Sequence, residues 1–384
     1  MQMLQAFRYI LPTVFFGYCV VANIGFLTHE TGADAAQDTP LEGSVMSGGL
    51  TAGIDGLYKA KLPHVDLSVG VVGVSRYLVL GQGRPGVLTG QGNWLFTGEE
   101  TRVLSERSVD MAAALTHITQ TRDTLAASGV QLVVVPVPAK IDVYRDKAPD
   151  PEFPEAMAQV YAGFVAQLTA AAIPTIETRA GLIAGRAEGD VFFATDTHWT
   201  PQGAAVVAQA VAASGLIDPG TMSYTAQPQA PADLIGDLVA YVTTDAMAPL
   251  VGLGPVAVTP YLATETGAET ADAGLDDLFG ASASDIVLVG TSYSANAHWS
   301  FAEALKIALG RDVVNVAKEG LGPWKPMQAF LTSDLLQDSP PAVVIWEFPV
   351  RYLSDPSTWT DTPEAKPEAA TSASGTAIGG SSDG

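Results

Sequence analysis

The chain has one cysteine in 384 residues, Cys19. That excludes a disulfide framework, which needs pairs, and a thiolate metal centre, which needs several ligands at fixed spacing. Basic residues are scarce as well. Nineteen Lys and Arg stand against 41 Asp and Glu, a formal charge of -22. Nucleic-acid phosphates are held by lysine and arginine, so nucleic acid is not an expected partner. The negative excess serves solubility or, as the alternative, life in a salty medium that screens it. Histidine occurs five times, and no His, Cys or carboxylate set has metal-ligand spacing. Neither a metal nor another cofactor is expected. There is no internal repeat.

One apolar run is long. From Tyr9 to Leu27 no residue is charged, and about 19 residues at ~1.5 Å each roughly match a hydrocarbon core. Arg8 in front and Glu30 behind favour the N-terminus inside and the chain outside. A cleaved signal peptide is the rival. Against it, the run is long, and Ala22-Asn23-Ile24 is a poor cleavage site. Tyr18 before Cys19 argues against a lipoprotein. Either way the soluble part is exported. Residues 1–28 are therefore expected to be an anchor or signal segment, 29–56 a linker, 57–354 the folded domain and 355–384 a disordered tail rich in Ala, Ser, Thr, Gly and Pro.

Within the domain, Leu62–Val65 and Val69–Leu80 read as short strands or irregular chain. The glycines around Gly83–Gly92 suit a hairpin turn leading into Trp94-Leu95-Phe96. Core packing is the favoured role for Trp94, sugar stacking the minority one. Residues 101–128 carry helical periodicity. The β-branched run Val130–Pro138 reads as a strand buried on both faces of a parallel sheet, with Lys140 and Tyr144 beyond its carboxyl end, where such sheets collect ligands. Helices are expected at Pro154–Ala172, at Pro201–Ser214 with Thr200 as N-cap, near 231–242, at 293–309 and up to about 336. Strands are expected at Ile173–Thr178, Asp190–Ala194, 285–289, 312–316 and 342–347. The last three form a βαβαβ run of parallel strands.

The chemistry concentrates in two stretches. Asp196-Thr197-His198-Trp199 follows an apolar run, and Gly290-Thr291-Ser292-Tyr293-Ser294 follows a buried strand. An acid to orient a histidine, and a serine for that histidine to deprotonate, make a nucleophilic triad. Ser292 at a strand-to-helix turn has backbone N–H groups and the helix dipole available for an oxyanion. Gly320 or Gly322 in the next loop would add a second N–H. Ser294, two residues on, should point away, and His298 suits a helix surface. In this reading Asp196/His198, Ser292 and Gly320 all sit at ends of sheet strands.

Asp196-Thr-His-Trp-Thr-Pro-Gln-Gly203 with Gly290-Thr-Ser-Tyr-Ser294 resembles the alginate O-acetyltransferases of the AlgJ/AlgX type. Arg84-Pro85-Gly86, Trp94-Leu95-Phe96, the Val-Pro-Val-Pro-Ala-Lys segment and Trp346-Glu347…Arg351 fit the same pattern, so the resemblance spans about residues 80–353. It implies an SGNH-hydrolase-like α/β three-layer sandwich with a mainly parallel central sheet. The motif order is circularly permuted, with Asp-x-His ahead of the serine. It also implies Ser292 as nucleophile, His198 as base and Asp196 as orienting acid. The asparagine block of ordinary SGNH hydrolases has no clear equivalent; Trp346-Glu347-Phe348 occupies that strand end.

Acetyl transfer to an exopolysaccharide hydroxyl through an acetyl-Ser292 is the expected reaction, with Lys140, Tyr144, Trp199, Tyr293 and Arg351 as substrate-binding candidates. The family's acetyl source is a membrane-bound O-acyltransferase. The implied location is the periplasm, anchored to the bacterial inner membrane. A carbohydrate acetylesterase with the same triad and a non-catalytic polysaccharide-assembly protein are the alternatives. The acidic body should repel alginate at long range, which leaves two readings open: a local basic groove made by Arg84, Lys140, Arg145, Lys318, Lys325 and Arg351, or a neutral polymer such as cellulose, or another exopolysaccharide, as acceptor.

Overall fold

The structure, a computed structural model, describes residues 12–21, 65–102, 111–266 and 285–360. In chain order its main elements are α1 Val65–Leu80, β1 Val87–Thr89, β2 Leu95–Thr97, α2 Ala112–Ala127, β3 Gln131–Val137, α3 Lys140–Val143, α4 Glu152–Ala170, α5 Arg179–Gly185 and α6 Pro201–Ala213. There follow β4 Tyr224–Pro228, β5 Ala232–Leu234, β6 Val256–Val258, β7 Tyr261–Glu265, β8 Ile286–Val289, α7 Ser292–Ala295, α8 Phe301–Leu309, β9 Val314–Asn315, α9 Trp324–Leu331, α10 Asp334–Asp338 and β10 Val343–Pro349.

The four-stranded sheet has the order β3-β10-β8-β9, with β10 and β8 inside and the valine-rich β3 at one end. All its pairings are parallel. Both β3 and β10 are buried almost throughout, as expected where helices cover both faces. Helices α5, α6 and α8 pack together, while α2 and α9 meet through residues 356–359. The register decides where the site falls. Val289 pairs with Trp346, so the chain leaving β8 turns away three residues before β10 ends at Pro349, beside Glu347.

The strand expected at Ile173–Thr178 shrinks to one bridge, Val134 to Thr175. Val134 N–H donates to the Pro174 carbonyl and its own carbonyl accepts from Ile176. The next donor on that edge would be residue 136, a proline with no N–H, so the ladder cannot continue.

Four other expectations change. Val69–Leu80 belongs to helix α1. Gly70 and Gly73 share one of its faces, and a Cβ at Gly73 would lie 2.2 Å from the Val242 carbonyl oxygen, so the helix docks backbone to backbone. Asp190–Ala194 forms only a bridge, Phe192 to Trp199. The helix expected near 231–242 is strand β5 and a short 3-10 turn, Val239–Tyr241. The helix expected over 293–309 breaks twice, at Asn296, which is extended, and at Ser300, which adopts a left-handed φ of 54°.

The hairpin β1–β2, helix α4 and the capped start of α6 match expectation. The cap is the Thr200 side chain accepting from Gly203 N. Of the expected helix over 101–128, the part from Ala112 is present and residues 103–110 lie outside the described set.

Order continues past residue 355. Pro356–Trp359 forms a 3-10 turn whose tryptophan is buried against Trp346 and Phe348. The expected linker 29–56 and the tail from 361 lie outside the described residues. Of the apolar run Tyr9–Leu27, residues 12–21 are described and helical. Among the described residues no helix is long and apolar enough to cross a membrane.

Candidate active site

Two loops make the site. The first is closed by backbone bonds from Phe193 N to His198 O and from Thr200 N to Val191 O. That tight return holds Asp196 and His198 at its tip. They therefore sit on a loop outside the sheet, not at a strand end as the sequence suggested. The second loop is the turn from β8 into α7. Thr291 caps it by accepting from Tyr293 N, and Ser292 opens the helix. Its own amide is one that a helix start leaves without an internal acceptor.

Ser292 Oγ lies 2.7 Å from His198 Nε2, and His198 Nδ1 lies 2.6 Å from Asp196 Oδ1. The three groups named from sequence come together across 94 residues of chain. Asp196 also accepts the His198 amide at 2.8 Å and the Asp237 amide at 2.9 Å. Burial raises its pKa, but these bonds and the nearby imidazole outweigh burial and hold it below the usual carboxylate range. The carboxylate therefore stays charged to orient the ring.

Three residues that sequence reasoning did not assign support this relay. Asp237 accepts from Thr197 N at 2.8 Å and Thr197 Oγ1 at 2.5 Å, pinning the loop between the acid and the histidine. Trp299, buried, stacks on the His198 ring with centroids 5.2 Å apart and planes 23° apart. Glu347, fully buried, accepts from Thr291 N at 3.1 Å, Thr291 Oγ1 at 3.1 Å and Ser294 Oγ at 2.7 Å. Burial pushes its pKa up. A Cβ at Gly290 would lie 2.5 Å from the Glu347 Oε2 atom, so that carboxylate requires glycine before the serine turn. Only Glu347 gave a signal in the sequence, as the unusual occupant of its strand end.

The expected substrate-binding residues are buried instead. Lys140 donates to three backbone carbonyls. Tyr144 accepts from Val191 N, reaches Asp190 and stacks on Trp94 at 4.0 Å. Trp199 donates to the Tyr293 carbonyl at 3.0 Å. Arg351 spans from Glu99 to the Tyr293 hydroxyl, which in turn donates to the Thr197 carbonyl. These side chains fasten the two loops to each other and to the body. None lines an open groove, because each spends its polar atoms inside the protein.

The expected basic groove shrinks accordingly. Arg84 is tied to the Ala240 carbonyl and Arg145 to Asp142, which leaves Lys318 and Lys325. The Lys318 amide donates to the Gly290 carbonyl at 3.1 Å, so its exposed side chain starts beside the serine turn.

Gly320 and Gly322 turn the same loop with φ of 70° and 65°. No bond joins either to Ser292 among the described residues, and Lys318 and Asn315 are the members of this segment that touch the turn. Ser294 and His298 stay outside the relay, bonded to Glu347 and Asn296. Asp196, His198 and Asp237 do bring three possible metal-ligand atoms within 4.8 Å. Within this group His198 Nδ1 bonds Asp196 and Asp237 accepts from Thr197, contacts that also suit a proton relay.

A family model described as SGNH hydrolase-like domain, acetyltransferase AlgX, matches residues 87–350. The probable alginate O-acetylase AlgJ of Azotobacter vinelandii is 35% identical over 343 residues, covering 88% of this chain and 87% of that protein. The solved O-acetyltransferase domain of Pseudomonas putida AlgJ is 35% identical with a TM-score of 0.60, covering 71% of this chain and 93% of that one. Pseudomonas aeruginosa AlgX is 27% identical with a TM-score of 0.55, covering 71% of this chain and 65% of that one.

Proposed function

This chain belongs to the SGNH-hydrolase-like acetyltransferase family of AlgX, and on that premise we propose that it acetylates alginate through an acetyl group carried on Ser292. It is an O-acetyltransferase of alginate biosynthesis, like the AlgJ proteins it matches. The observation that carries the mechanism is the unbroken line from Ser292 Oγ to His198 to Asp196, at 2.7 and 2.6 Å.

In the first half-reaction Ser292 Oγ attacks the carbonyl carbon of an acetyl donor while His198 Nε2 takes its proton. Asp196 keeps Nδ1 protonated and stabilises the imidazolium. The Ser292 amide at the head of α7 faces the developing oxyanion. The intermediate collapses, His198 returns the proton to the leaving group, and acetyl-Ser292 remains. In the second half a sugar hydroxyl gives its proton to His198 and attacks the acetyl carbon. Ser292 leaves, reprotonated by His198, and the polymer carries the ester.

The acceptor is a polysaccharide. The acetyl source in this reading is a membrane-bound O-acyltransferase. The site works on the periplasmic side of the inner membrane, where the run Tyr9–Leu27 would keep Ser292 close to that source and raise its effective concentration. An alkaline phosphatase fusion after Thr360, active only outside the cytoplasm, tests that orientation.

The test of the reaction uses the full chain, p-nitrophenyl acetate and a panel of neutral and uronate oligosaccharides, read by intact mass. An acetyl adduct on Ser292 with acetyl arriving on an oligosaccharide establishes transfer. Free acetate with no acetylated sugar points instead to an esterase. Acetylation that survives Ser292→Ala sinks the mechanism.

A further inference from the structure

Lys140 is only 1% exposed, yet it ends beneath the triad. Its Nζ atom donates to the carbonyls of Leu95 at 2.6 Å, Asp196 at 2.8 Å and Ala194 at 3.0 Å. The rings of Trp94 and Phe96 lie 5.2 and 5.3 Å from the same atom. The three carbonyls come from two separate parts of the chain, β2 and the loop that carries Asp196 and His198. An ammonium has three protons and no lone pair, so it matches three acceptors. A neutral amine has two protons and would turn a lone pair towards the third carbonyl.

We propose that Lys140 is a positioning residue for acyl transfer, whose ammonium locks the Asp196 backbone to β2 and so fixes the carboxylate that orients His198. It acts through Asp196 and never meets substrate. This rests on the Ser292 acyl-enzyme reading above.

The lock has a pH limit. Burial drives the Lys140 pKa down, and the facing carboxylates of Glu100, Asp196, Asp237 and Asp190 pull it back only in part, leaving it at about 8. Glu100 is itself buried and accepts the amides of Lys140 and Ile141 at 3.0 and 2.9 Å. Above that pH one carbonyl loses its donor and the loop loosens.

Stability responds with the opposite sign. An unfolded lysine stays protonated to about pH 10.4. Above about pH 8 the unfolded chain therefore holds more protons than the folded one, and the Lys140 contribution to stability rises with pH. A rate that falls while Tm holds separates a loosened triad from unfolding.

The experiment follows Ser292-dependent turnover of p-nitrophenyl acetate by the full chain from about pH 6 to 9.5, with Tm at each pH. In the wild type kcat declines around pH 8 with KM unchanged. Lys140→Met lowers kcat at neutral pH by about 100-fold, the scale of a small misplacement at a reacting centre, leaves KM within about twofold, and removes the alkaline decline. Glu100→Gln takes away a negative neighbour and moves the decline to lower pH, which decides the matter even if Lys140→Met does not fold. A wild-type profile flat to pH 9.5, or a decline that stays in place in the variants, overturns the proposal. Turnover that persists in Ser292→Ala overturns the acyl-enzyme reading itself, whatever the pH profile.

Discussion

Glu347 accepts the Ser294 hydroxyl at 2.7 Å, so the turn that presents Ser292 is fastened to the neighbouring strand as well as to its own helix. Removing this carboxylate leaves three buried donors, the Thr291 amide and the hydroxyls of Thr291 and Ser294, to find other partners. Glu347→Ala should cost about 2–4 kcal/mol, the scale of leaving buried polar groups unpaired, and calorimetry measures it. Glu347→Gln gives the pH dependence. The folded pKa of Glu347 is raised, so the folded state holds the extra proton and the Glu347 contribution falls as pH rises from about 4.5. The stability of wild type relative to Glu347→Gln should therefore shrink over that rise; a difference constant with pH contradicts the assignment.

Asp196→Asn keeps the shape but lets the wrong imidazole nitrogen carry the proton. Turnover should drop by about 10⁴-fold. Ser292→Ala and His198→Ala should each remove most of the rate, and the double variant should be little worse than either single one, because groups that act as one unit are not additive. Steady-state kinetics on the four proteins decide this, and additive losses would show that the two side chains act separately.

Trp299 supports His198 through a ring stack worth about 0.5–1.5 kcal/mol. If the stack matters more to the imidazolium than to the neutral ring, Trp299→Leu lowers kcat by about 3–10-fold. Trp299→Phe should recover most of that loss. Equal losses for Leu and Phe would assign Trp299 to packing alone.

Lys318 starts beside the serine turn with an exposed side chain. Lys318→Gln should raise KM for uronate oligosaccharides a few-fold, about what one exposed ion pair gives, and leave p-nitrophenyl acetate kinetics unchanged. The effect should fade with added salt. A KM that does not depend on salt in the wild type would show that acceptor charge is not read at this position.

Much of the scaffold was legible because its causes are local. A run of valines reads as a strand buried on both faces of a parallel sheet, and Thr200 before Pro201 reads as a helix start. Local cues also misled. The apolar stretch in α1 has no alternation to mark it as strand or helix until Gly70 and Gly73 meet the 242–247 segment. The apolar residues before Asp196 looked like a sheet strand, but they fold back on Trp199.

By itself the sequence picked out the three side chains that the structure brings together, Asp196, His198 and Ser292. An acid two residues from a histidine places carboxylate and ring within reach of each other through a single turn, here 2.6 Å apart. A serine after a buried strand starts a helix with its amide free. Only the tertiary structure decided what those groups rest on. Lys140, Tyr144, Trp199, Tyr293 and Arg351 have the polar ends of substrate binders, and nothing local says which way they face. Packing turned them inward, where each polar atom must find a partner or bear the cost of burial. The partners they found are the backbones and side chains of the two loops that carry Asp196, His198 and Ser292. Asp237, Trp299 and Glu347 join the site for the same reason: their contacts span tens of residues, a range over which sequence spacing carries no geometric constraint.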